Sequence, residues 1–180
     1  RALTATGSYV SSYQIFDGLL RERQSQAPSA NGDGSRVVVD TIYDKAGRAA
    51  TAYGAHVEPD APSGVLWWEP EWSVPAVTKT VFDRVSRPVA SVFYTAQGET
   101  NLVERWRTST AYEGDLTKTT PPAGGVPTTT VVDTDGHTVA LRQHTTDAGV
   151  GGAYQETRYE YDRKDRLASV VDPKGNRWGY

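Results

Sequence analysis

The chain has 180 residues, a formal net charge of −3, no cysteine and no methionine. That length supports one domain with a real core, and the charge balance argues against a nucleic-acid partner or an anionic membrane surface. No apolar run approaches 18 residues, so no membrane span is expected, and without cysteine there are no disulfides, thiolates or cysteine-held metals.

From the N-terminus, Tyr13 to Gln24 comes closest to a helical apolar stripe, but it contains Phe16-Asp17 followed by Arg21. The same aromatic-Asp-x-x-x-Arg pattern returns as Tyr43-Asp44 with Arg48, Phe82-Asp83 with Arg87, and Tyr161-Asp162 with Arg166. Recurrence of this kind points to a repeat architecture and an extended surface. In Tyr43-Asp44-Lys45-Ala46-Gly47-Arg48, Asp44 suits the first position of a type I turn. Gly47 suits the fourth, where φ is positive; together they predict a hairpin with a bulge at the glycine. The aromatic and the Arg should meet across the hairpin end, as a guanidinium on a ring or a charge pair with the Asp. An anionic ligand for these Arg residues is the alternative.

Ala27 to Ser35 reads as a loop. Within it, Asn31-Gly32-Asp33-Gly34-Ser35 resembles the opening of a calcium loop, but Arg36 and Ile42 stand where Gly and Glu are needed, which favours a plain hairpin loop. Val37 to Val39 and Val77 to Phe82 are rich in β-branched residues and read as strands. Between them, residues 58–75 form an insert carrying Trp67, Trp68 and Trp72 among four prolines. Adjacent tryptophans in a strand place one ring on each face, so at least one should pack; the remainder could form a ligand or partner surface.

Further on, Thr95 to Gly98 and Tyr112 to Asp115 read as degenerate turns, and 121–127 as a loop. Asp133-Thr134-Asp135-Gly136 repeats the turn, with Val132 for the aromatic and His137 for the Arg. Another loop is expected over 147–152. Arg158 to Tyr161 alternates charge and tyrosine with a period of 2. Asp165 replaces the glycine in the following turn, as Leu20 and Ser86 do in the first and third copies. Asp172-Pro173-Lys174-Gly175 is a turn ten residues past Asp162, as expected of a meander with hairpins on alternate edges. His56, His137 and His144 read as surface residues, with no metal or catalytic assignment. The predicted class is all-β: consecutive antiparallel β-hairpins forming a curved sheet.

These residues resemble the YD-repeat, or Rhs, family, whose signature is Tyr-Asp, two variable residues, Gly and Arg. Tyr43 to Arg48 matches it in full. Tyr161 to Leu167 followed by Val171 to Asn176 looks like two half-repeats, and Trp106 to Gly125 looks like a segment common in bacterial members. The non-tyrosine copies and the tryptophan insert depart from the pattern. The resemblance covers most of the chain from Tyr13 onward. It implies a segment of a spiral β-shell that encapsulates a toxin domain for delivery, as in bacterial polymorphic toxins and insecticidal toxin complexes, with teneurins sharing the barrel. On that reading residues 1–180 are one repeat array and an internal fragment of a larger shell. Its partners would be the rest of that shell and the enclosed domain, and its place secreted or on the bacterial cell surface. The chain would be no enzyme and need no cofactor. Rhs self-cleavage uses an Asp-Pro-x-Gly-Leu signature, which Asp172 to Gly175 misses because Asn176 follows. An adhesion or carbohydrate-binding module, contacting a glycan or cell-surface receptor through Trp67, Trp68 and Trp72, is the competing expectation.

Overall fold

A computed structural model describes residues 2–3, 7, 9–98, 100–146 and 149–180. Among them the chain forms β1 (Ala2–Leu3), β2 (Tyr9–Val10), β3 (Tyr13–Phe16), β4 (Glu22–Pro28), β5 (Arg36–Tyr43), β6 (Ala49–Glu58), β7 (Ala76–Phe82) and β8 (Pro88–Gln97). There follow β9 (Asn101–Glu113), β10 (Leu116–Thr120), β11 (Thr128–Val132), β12 (Thr138–His144), β13 (Tyr154–Tyr161), β14 (Leu167–Val171) and β15 (Arg177–Gly179). The helical content is two single 3-10 turns, Glu71–Ser73 and Gly149–Gly151. β1 pairs with β2, while β3 to β15 make one antiparallel sheet whose spatial order is the sequence order. The all-β class and the chain of consecutive hairpins follow the sequence. Tyr13 to Gln24, the one stretch with a trace of helical periodicity, is the β3–β4 hairpin.

Contacts group into two compact units, Arg1–Trp106 and Arg107–Tyr180, with the division inside β9. In the first unit the buried apolar residues are Val38, Tyr53, Val74, Val77, Ala90 and Val92. They concentrate where the segment between β6 and β7 covers one face: Val74, from that segment, packs with Tyr53 and Val77, flanked by Ile42, Tyr94 and Leu102. In the second unit burial is slighter, with Ala140, Thr129, His144 and Ser169 enclosed. Outside the face that the β6–β7 segment covers, few described residues of either unit are buried, unlike the two packed layers of an ordinary domain.

Connections on the two edges differ in kind. From β3 onward, those from odd to even strands are short corners. Those from even to odd strands vary, from residues 29–35 and 59–75 to 121–127 and the five-residue turn at Asp172–Asn176. The turn expected at Thr95 to Gly98 comes later, since β8 runs to Gln97 and the chain reverses from Gly98. Tyr112 to Asp115 closes tightly, with Glu113 opposite Leu116 and Gly114 at φ 62°. In the predicted 147–152 loop, Asp147 and Ala148 lie outside the described residues.

Candidate functional site

Each repeat corner is held by one carboxylate. Asp44 Oδ1 accepts the backbone N–H groups of Ala46 and Arg48 at 2.9 and 3.0 Å, and Oδ2 accepts Arg48 Nε at 2.7 Å. The backbone adds Gly47 N–H to Asp44 O and Asp44 N–H to Arg48 O, both 2.9 Å, which closes a type I turn followed by a left-handed residue. The same bonds recur at Asp17–Arg21, Asp83–Arg87 and Asp162–Arg166. His137 replaces the guanidinium at Asp133, and Asn176 replaces it at Asp172. Leu20, Ser86 and Asp165 take φ of 58°, 68° and 60° where Gly47, Gly136 and Gly175 stand at 82°, 88° and 87°. The non-glycine copies are therefore full corners, because four bonds to one Asp over-determine a backbone that a side chain alone would disfavour.

Five of the six corners share a second irregularity. The register slips by one so that Arg23, Ala50, Val89, Val139 and Ala168, each six residues past its Asp, have no partner opposite. All five follow an odd-numbered strand, whereas Asp172 follows β14. A bulge at a fixed place in every hairpin adds local twist in the same sense each time.

The Arg–aromatic contact lies between copies, not within one. Arg21 places its guanidinium 4.1 Å from the ring centre of Tyr43, in the next corner, and donates from Nη1 to Gly47 O at 2.9 Å. Arg48 lies 4.5 Å from Phe82 and donates to Ser86 Oγ at 3.2 Å and to Asp83 O. In the second unit His137 stacks on Tyr161 at 4.6 Å. The tyrosine hydroxyls point back, Tyr43 to Glu22 O at 3.0 Å and Tyr161 to Thr138 O at 3.1 Å, each five residues past the preceding Asp. Thus the Asp uses the Arg to close its own corner, and the Arg uses the next aromatic to fasten that corner to its neighbour. Phe16, half exposed, begins the first copy. Gly47 is needed twice over: its φ is positive, and a Cβ there would stand 2.9 Å from Arg21 Nη1.

The side-chain bonds from Arg21, Arg48 and Arg166, and from Asn176, hold Asp17, Asp44, Asp162 and Asp172 below the ordinary aspartate range. At Asp83 and Asp133 desolvation pulls upward, but the bonds from Arg87 and His137 win. A carboxylate with a lowered folded pKa contributes stability that is complete above its unfolded value and lost as the pH falls through the folded one. The thermal midpoint should therefore drop once the pH falls below about 3.9, and drop less steeply in Asp44→Asn. A midpoint unchanged between pH 6 and 2 would refute the corner geometry as a stabilising device.

The insert is bound by amides. Gln24 and Gln26, both 1 % exposed, project from β4 beneath it. Gln24 Oε1 accepts Trp67 N–H at 2.9 Å and its Nε2 donates to Trp67 O at 2.8 Å, as a neighbouring strand would. Gln26 does the same for Ser63 N–H and Val65 O, both at 2.9 Å. Gln24 Nε2 also donates to Asp40, whose carboxyl burial pushes up despite that bond and the adjacent Arg23. The insert is not a strand. Trp67 is half-buried under the Arg36 guanidinium, 4.4 Å away, whereas Trp68 is 73 % and Trp72 45 % exposed.

Two histidines expected at the surface are buried. His144 bonds Thr129 Oγ1 at 2.9 Å, and His56 sits with Glu58 and Glu69 at the base of the insert.

No protein-family model and no curated protein matches the chain. Solved structures do. The crystal structure of TcdB2-TccC3 aligns over 87 % of this chain with a TM-score of 0.64 and 20 % identity. TcdB2-TccC3 without its hypervariable C-terminal region aligns over 89 % (0.62, 18 %), and TcdB2-TccC3-Cdc42 over 88 % (0.62, 19 %). The chain shares their fold. It spans only 9 % of the length of each.

The aspartates were visible in the sequence because one residue does the work of each corner. The glutamine pair was not visible: Gln24 and Gln26 alternate with Arg23 and Ser25 as any polar strand would. The only trace of His56's setting was Gly54 inside a strand, a usual mark of a bulge.

Proposed function

We propose that this chain is a non-catalytic wall segment of an Rhs/YD-repeat β-shell that encloses a toxin domain for delivery from a bacterium. The observation that carries this is the row of bulged corners, three of which place an Arg or His on the aromatic of the next: Arg21 on Tyr43, Arg48 on Phe82 and His137 on Tyr161. It extends a sheet strand by strand and leaves β3 and β15 as edges for more strands. The repeats build a wall, and the wall has few buried residues of its own because its second face meets contents. Likeness to TcdB2-TccC3 with and without its hypervariable C-terminal region supports a framework that does not depend on that region. Electron microscopy of the full-length polypeptide carrying this chain should reveal a closed shell with density inside, and the enclosed part should resist protease until the shell is opened. An open sheet, or an interior region digested as fast as a free one, overturns the proposal.

Exposed Trp68 and Trp72 favour a second reading, in which the insert contacts a glycan or cell-surface receptor. Aromatic faces stack on sugar rings, so Trp68→Ala should abolish any glycan-array signal. No signal from the unmodified protein removes this reading.

A further inference from the structure

Beneath the insert, three side chains from two separate segments converge. His56 and Glu58 come from the end of β6, and Glu69 from the insert. Their nearest ligand atoms lie within 4.8 Å of one another, and their side chains are only 3 %, 17 % and 8 % exposed. The geometry points to a binding site for a transition-metal dication of the zinc class, held by His56 Nε2, Glu58 and Glu69, which clamps the insert to β6. This goes beyond the shell reading and does not depend on it.

The tautomer carries the argument. At Gly54 and Ala55 the β5–β6 register shifts, and the bulge turns Gly54 O to within 2.7 Å of His56 Nδ1. The carbonyl can only accept, so Nδ1 holds a proton and Nε2 is the atom directed at the carboxylates. A metal ion between Nε2 and the carboxylate oxygens would satisfy both. A carbonyl bonded to the far nitrogen is also how metal-binding imidazoles are oriented. Ser73 Oγ donates to Glu69 Oε2 at 2.9 Å, which leaves Oε1 directed to Nε2.

The charge of the set also suits a dication, since two acidic side chains face each other across one imidazole. Among the described residues neither Glu58 nor Glu69 has an ion pair with lysine or arginine, and Arg36 acts on Glu58 only at a distance. A divalent ion makes the set neutral, which suits a site closed to solvent. Around tetrahedral zinc, ligand atoms stand about 3.4 Å apart given bonds of about 2.1 Å. Nε2 and Glu58 Oε1 are at 3.8 Å. Glu69 touches Nε2 directly, so it steps back as the ion enters, and a water completes the fourth position. Imidazole nitrogen selects zinc-class ions over calcium or magnesium, which take oxygen.

Titration calorimetry of chelator-stripped protein with Zn²⁺ should give one saturable site. Glu69→Gln and His56→Gln should each weaken it by about 100-fold or more, since each removes a direct ligand. Asp135→Asn, in the exposed Asp133–Asp135–His137 group, should leave it unchanged. No binding, or binding lost in Asp135→Asn and kept in Glu69→Gln, overturns the proposal. Should a variant not fold, the unmodified protein decides: Co²⁺ should broaden the imidazole NMR signals of His56 before those of His137 and His144. The reverse order overturns the site.

Discussion

Gln24→Ala is expected to free the insert from the sheet. One side chain there serves four groups: the Asp40 carboxylate, the N–H and C=O of Trp67, and Gln26 Nε2, which donates to Gln24 Oε1 at 2.7 Å. Truncation leaves several of these without partners in a place where Gln24 is 1 % exposed. Each unsatisfied buried group costs about 1–3 kcal/mol, so the loss should be about 3–5 kcal/mol, at the upper end for a single substitution. Hydrogen exchange gives the sharper test. The amides of Ser63 and Trp67 should exchange at nearly the rate of an open loop, while those of the Asp44 corner stay protected. Gln14→Ala, which removes an exposed 3.3 Å bond to Glu22, should shift stability by less than about 0.5 kcal/mol. Unchanged protection at Trp67 in Gln24→Ala would mean that the insert is held by its apolar contacts alone.

That experiment bears on what the sequence could disclose. The corners were legible because the bonds that form them are local: an Asp reaches N–H groups two and four residues ahead and a guanidinium four ahead, so the requirement is written as a short motif. The meander followed from Asp162 and Asp172 being one strand apart. The fastening between corners was hidden, since Arg21 meets Tyr43, and Arg48 meets Phe82, across intervals set by variable loops on the far edge. The polar layer under the insert was hidden for a different reason. Gln24, Gln26, Arg36, Asp40 and His56 sit in strands where composition predicts a wet face, and only the insert excludes water from them. Whether a polar strand residue is buried depends on what covers it, and that is a long-range fact.

Tyr53→Ala is the second large effect expected. Tyr53 is 7 % exposed at the centre of the apolar cluster, against Val74 from the insert, Val77 from β7, and the partly buried Ile42, Tyr94 and Leu102. Removing a buried aromatic ring costs about 3–5 kcal/mol, a large share of the roughly 5–15 kcal/mol that holds a domain together. Tyr53→Phe keeps the ring and should cost far less, which separates packing from any role of the hydroxyl. The loss should also stay local. In a sheet ordered strictly by sequence, each strand touches its two neighbours, so stability is close to a sum of nearest-neighbour interfaces. Exchange in Tyr53→Ala should therefore quicken along β5 to β8, while the amides of Thr129 and His144 in the second unit keep their protection. Equal acceleration throughout would mean that the sheet unfolds as one cooperative block. The corner-to-corner contacts of Arg21, Arg48 and His137 would then transmit stability beyond adjacent hairpins.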